Sequence, residues 1–314
     1  MNKKTNCNIL VSGLYFSGSG AVTDLLKEYR GIGIIPGEFD DFRRAGMIGD
    51  HIQGRIARDY KCNVENVKYN SLKWSRLCCK NKFNIKKIFK YFFIRSPLGK
   101  ISGGGKYRII SKRISLLESV KSDVESSSCS DDKIKIGFEW VKKIKQLYVT
   151  GSDRAVFDQP IFLNAHKDIW PKVFDPFKLI IVYRDPKDQI AQLVKLNLIY
   201  FNMETPTRGL IEAYGDDRLA AIRYELDMLK AKFRCAKKLQ EVHGDDKVKL
   251  ISFENLVNNY EKEKEDLERF LEISPSDHMN KKQFFDPDVS FDNIGLYKKY
   301  LTEEELSVFE DVEL

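Results

Sequence analysis

The chain has 314 residues, of which 42% are hydrophobic and 32% charged, and its formal net charge is +7. That length and balance suit a globular protein with a large buried core rather than a disordered one. No apolar run reaches the length needed to span a membrane, and the six scattered cysteines form no C-x-x-C, so neither a zinc knuckle nor a dithiol motif has support.

The N-terminal stretch leads straight into a short apolar run, Ile9 to Val11, too short for a secretory signal; a cytoplasmic protein is expected. That run predicts a buried strand. A small-residue turn, Ser17-Gly18-Ser19-Gly20, follows, and then an amphipathic pattern at Val22, Leu25, Leu26 and Tyr29 predicts a helix from near Ser19. A strand, a glycine turn and a helix N-terminus together form a phosphate cradle, because first-turn N–H groups lack partners and the helix dipole favours an anion. The sequence G-x-x-x-x-G-K-[ST] of ATP-binding loops is absent: Ser19 and Gly20 stand where the lysine and the magnesium-holding hydroxyl would be.

Gly31 to Gly37 predicts a second strand, followed by the charged aromatic stretch Glu38-Phe-Asp-Asp-Phe-Arg-Arg44. Residues 51–135 have the character of a basic, mostly helical insertion or lid; Ile85 to Phe93 has helical spacing with lysines opposite the apolar face, suited to an acidic acceptor or a membrane surface. The α/β rhythm returns with a helix over 139–148 and a strand from Arg154 to Gln159. Lys178 to Tyr183, apolar almost throughout, predicts a central parallel strand. Arg184-Asp-Pro186 then opens a helix to Leu196, with proline suited to its first turn. A long helical region over 208–242, a strand over 247–253 and a helix over 254–273 complete the pattern. His51 and His166 are expected on polar surface.

Four stretches in order carry a resemblance: the glycine turn with its helix; Ile180-Ile-Val-Tyr-Arg-Asp-Pro-Lys-Asp188; Leu250-Ile-Ser-Phe-Glu-Asn-Leu-Val257 with Leu267 to Ile273; and Ser290-Phe-Asp-Asn-Ile-Gly-Leu-Tyr-Lys298. Together they resemble the sulfotransferases that use 3′-phosphoadenosine 5′-phosphosulfate, in particular bacterial enzymes that sulfate glycans. The likeness covers about 7–45 and 150–314. It implies one P-loop-like, three-layer α/β domain with a central parallel sheet, spanning 1–314 and carrying the insertion.

By that resemblance Ser17, Gly18, Ser19, Gly20 and Ala21 hold the 5′-phosphosulfate, while Arg184, with Gln192 and Lys298, holds the 3′-phosphate. A planar, permanently charged guanidinium suits that task. Gln192 replaces the family's usual serine. The loop Tyr15-Phe16-Ser17 lacks the lysine or arginine many relatives carry, so Arg43, Arg44 or Lys167 is expected to supply a cation. Glu38 is the expected general base and Asp158 the second candidate. No metal is implied. The implied partner is a hydroxyl-bearing acceptor, a carbohydrate or anionic polysaccharide. Two other readings stand beside this one: a P-loop nucleotide kinase, and a non-catalytic module gripping an anionic polymer or membrane. Specific nucleic-acid binding has no motif behind it.

Overall fold

A computed structural model describes residues 7–55, 60, 61, 63, 64, 67, 105–149, 154–200 and 217–310. The helix expected over 85–93, the loop before Gly105 and the start of the long helical region at Arg208 lie outside the described residues. Five strands form one all-parallel sheet flanked by helices, in the order β2-β3-β1-β4-β5: β1 Cys7–Gly13, β2 Ile32–Glu38, β3 Arg154–Asp158, β4 Phe177–Tyr183 and β5 Val248–Ser252. The predicted strands are therefore present, and the apolar runs are the buried ones: Leu10 and Val11 of β1 and Leu179 to Val182 of β4 are all fully inaccessible. Two-sided burial explains their unbroken apolarity. Pro36 is tolerated because β2 is an edge strand, with no second ladder for the missing N–H to serve. Among the described residues no helix is long and apolar enough to cross a membrane.

The chain divides into two compact units, Met1–Ile9 with Gly31–Phe177, and Leu10–Arg30 with Lys178–Leu314. In the first, β2 pairs with β3 so that Glu38 stands opposite Asp158 at the strand ends. An α-helical hairpin covers this unit: α2, Gly105–Ser126, and α3, Ser130–Tyr148. They bury Leu117, Val120 and Val124 from one helix and Trp140, Val141 and Ile144 from the other. α3 runs without interruption across position 135, the boundary expected for the insertion. Arg113 of α2 is fully buried. Its Nε donates to Asp41 at 2.9 Å, its second amino group bonds the same carboxylate, and Nη1 donates to the Pro36 carbonyl at 3.1 Å. His51 and His166 are buried as well, contrary to the surface expectation: His51 Nδ1 lies 3.2 Å from Glu125 and His166 Nε2 2.9 Å from Asp50. Each carboxylate gives the imidazole a partner that makes burial tolerable.

In the second unit, α1, Ser19–Leu26, packs Val22, Leu25 and Leu26 into the core. α4, Pro186–Lys195, opens with Asp185 accepting from the Lys187 N–H at 2.8 Å, and proline occupies its first turn. α5, Arg218–His243, is capped by Asp217 and buries Ile222, Leu226 and Leu229, three of the four positions whose spacing predicts its inner face; Leu219 is half-buried. The helix expected over 254–273 is two helices, α6 Phe253–Asn258 and α7 Tyr260–Leu271. Asn259, at φ −120° and ψ 39°, breaks the run. Just beyond α1, the fully buried Glu28 accepts from His278 Nε2 at 2.7 Å and from the N–H groups of Lys282, Phe284 and Phe285 at 3.2, 2.8 and 3.0 Å.

Candidate functional site

β1 ends in a tight turn of the second unit. Tyr15 and Phe16 both have positive φ, 68° and 49°, and so does Gly18 at 81°. Two successive non-glycine residues in the left-handed region are costly and mark a loop held by its surroundings. The side chains of Ser17, Gln189 and Arg184 hold it. Ser17 Oγ accepts from the Leu14 N–H at 3.1 Å. Gln189 Nε2 donates to the Leu14 carbonyl at 3.0 Å and also bonds the Tyr15 carbonyl. Arg184 Nη1 donates to the Phe16 carbonyl at 3.5 Å. Behind the turn, α1 has no side-chain cap, and of its first amides Ala21 turns back to the Gly18 carbonyl at 2.9 Å. No atom lies within 4 Å of where a Cβ on Gly20 would stand, so the first turn faces open space. That space and the uncapped amides fit an anion.

Arg184 follows the last residue of β4 and is only 4% exposed. Besides Phe16, its guanidinium bonds the Asn293 carbonyl and stands 5.2 Å above the Phe253 ring. Its Nε is buried with no hydrogen-bond partner. Burial draws its pKa down, and Asp188, Glu254 and Asp185 oppose that pull. The same Phe253 ring lies against Gly18: a Cβ there would come within 2.4 Å of it. One aromatic shelf thus supports both the predicted phosphate turn and the predicted phosphate arginine. The loop before α4 is fixed from the start of α6: Glu254 accepts from the Asp185 N–H at 3.0 Å and from the Ser252 hydroxyl at 2.8 Å.

This architecture has a counterpart among solved structures. The sulfotransferase domain from the Synechococcus PCC 7002 olefin synthase matches with a TM-score of 0.50, covering 100% of this chain and 91% of that one at 12% identity. The chain has the fold of a sulfotransferase domain. The sulfotransferase domain from the curacin biosynthetic pathway matches at 13% identity with a TM-score of 0.48, covering 98% of this chain and 97% of that one. No protein-family profile matches the sequence, and no curated protein shows significant similarity to it.

Of the residues predicted for the nucleotide, Gly18 and Arg184 meet at the Phe253 ring, and Ser17, Ser19, Gly20 and Ala21 flank Gly18 in the turn and the start of α1. Gln192 is half-buried within α4, and Lys298 is exposed with its ammonium 5.9 Å from the Tyr297 ring. Sequence reasoning missed Gln189, one turn before Gln192, which braces the loop. It also missed Asp188, 1% exposed, which accepts from the N–H groups of Gly295 and Tyr297 at 2.8 and 3.2 Å and so anchors the segment whose Asn293 carbonyl meets Arg184. A carboxylate four residues after Arg184 was the available signal.

In the first unit the two candidate bases stand opposite each other at the ends of β2 and β3. Glu38, 48% exposed at its side chain, bonds Arg43, which is also held by Asp40 at 2.8 Å. Asp40 binds Arg44 at 2.9 Å as well. Arg43 and Arg44, expected to supply a cation, are thus engaged by neighbouring carboxylates, and Lys167 is exposed. Asp158 is buried, and its carbonyl accepts from the Phe39 N–H at 2.6 Å.

Proposed function

We propose that this protein is a sulfotransferase that uses 3′-phosphoadenosine 5′-phosphosulfate and a hydroxyl-bearing acceptor, a carbohydrate. One observation carries the proposal: the phosphate turn and a buried arginine with an unpaired Nε rest on the same ring, Phe253. A bisphosphorylated nucleotide asks for two anion grips a ribose apart, and backbone amides with a guanidinium are the chemistry for both. The acceptor oxygen attacks sulfur, the bond from sulfur to the 5′-phosphate oxygen breaks, and adenosine 3′,5′-bisphosphate leaves with the electron pair. The acceptor proton passes to Glu38, with Asp158 as the alternative base. Ser17 to Ala21 receive the 5′ end; Arg184, Gln192 and Lys298 serve the 3′-phosphate. The reading takes residues 1–314 as one catalytic domain with residues 51–135 as its insertion. The excess of positive charge favours an anionic polysaccharide as acceptor.

Calorimetry tests the donor site. Adenosine 3′,5′-bisphosphate is expected to bind more tightly than ATP, and Arg184→Ala to abolish the preference. Equal affinity for both nucleotides, or a preference that survives the substitution, would overturn the assignment.

A further inference from the structure

Sulfuryl transfer leaves negative charge on the 5′-phosphate oxygen, and a cation close to it lowers the barrier. The loop itself supplies none, since Tyr15, Phe16 and Ser17 stand where a basic residue would serve. Within the second unit, however, a lysine from a distant part of the sequence meets the loop. Lys232, half-buried on α5, holds its ammonium 5.1 Å from the centroid of the Tyr15 ring. The next residue, Phe233, fixes the level of that helix turn: its ring lies 5.1 Å from Tyr183, the last residue of β4 and the neighbour of Arg184. α5 therefore presents Lys232 at the height of the strand ends, beside a loop whose left-handed backbone at Tyr15 is costly to hold.

We infer that Lys232 is the cation of the 5′ end: its ammonium, guided by the Tyr15 face, pairs with the 5′-phosphate and stabilises it as the sulfuryl group departs. A lysine suits the role because it is a compact charge on a flexible stem, able to leave the ring face for a phosphate oxygen. This inference rests on the donor reading above and names the group that completes it.

The test separates the two ends of the nucleotide. Adenosine 3′,5′-bisphosphate and adenosine 3′-monophosphate are titrated into the wild type, Lys232→Met and Lys232→Arg, with thermal melts to verify folding. Lys232→Met is expected to weaken the bisphosphate about ten- to a hundredfold, the value of one charge-assisted hydrogen bond, and to leave the monophosphate unchanged. Lys232→Arg is expected to recover most of the loss. Unchanged bisphosphate affinity in Lys232→Met, or equal weakening of both nucleotides, would overturn the role and make Lys232 a brace for Tyr15. A wild type that binds neither nucleotide would instead sink the donor site on which the inference rests.

Discussion

At the residue scale, the site depends on positions whose geometry admits few substitutes. Gly18 combines a φ of 81° with contact against the Phe253 ring, so an added methyl group is strained and collides. Gly18→Ala is expected to cost about 1–3 kcal/mol in stability from the backbone alone. It should also displace Phe253 and weaken adenosine 3′,5′-bisphosphate by more than it weakens the fold. Urea denaturation and calorimetry on the same samples check both; wild-type affinity would show that the shelf is not needed. Individual roles were the least legible part of the sequence. Asp188 reads as one more letter of a nucleotide motif, yet its carboxylate is spent on two backbone amides of the C-terminal segment. Gln189 and Gln192 differ by three positions, and only helix phase decides that the first meets the loop. Lys232 lies more than 210 positions from Tyr15 in the chain, and nothing local marks their meeting.

At the element scale, strands and helix starts were legible because they follow from local rules: apolar runs for β1 and β4, proline and aspartate at the head of α4, a glycine turn before α1. What the sequence did not reveal is which basic side chain of residues 51–135 turns inward. Composition cannot show that Arg113 faces inward, because a helix hides one basic side chain as readily as an apolar one when a carboxylate waits for it. Arg113 grips Asp41 and the Pro36 carbonyl, on either side of Glu38. Arg113→Ala leaves Asp41 charged and without its partner, and is expected to cost about 3–5 kcal/mol. The paired change Arg113→Met with Asp41→Leu removes both charges and should recover most of that loss. If the pair is no more stable than the single variant, the arginine's bond to Pro36 matters more than its bond to Asp41. Denaturation midpoints decide the matter.

At the scale of the whole molecule, the histidines set the response to acid. Burial pulls the pKa of His51 below its ordinary 6.5, against the pull of Glu125, and burial with Lys247 does the same to His243. A base whose folded pKa is depressed contributes stability that is complete above the unfolded value and is lost as pH falls through it. The thermal midpoint is therefore expected to hold from pH 8 to 7 and to fall from 6.5 downward, well before the carboxylates protonate. His51→Gln should flatten that decline; a midpoint that rises in the same interval would contradict the assignment. The bond between Glu28 and the segment from His278 to Phe285 has a different consequence, one of timing. The carboxylate emerges from the ribosome early, and the four groups that neutralise its burial are synthesised 250 to 257 positions later. At ordinary rates of translation that interval is roughly ten to fifty seconds. For all of it the carboxylate just beyond α1 has no dry place to go, so the half of the protein that contains the proposed nucleotide site is completed after translation has passed Phe285, however soon its first strand appears.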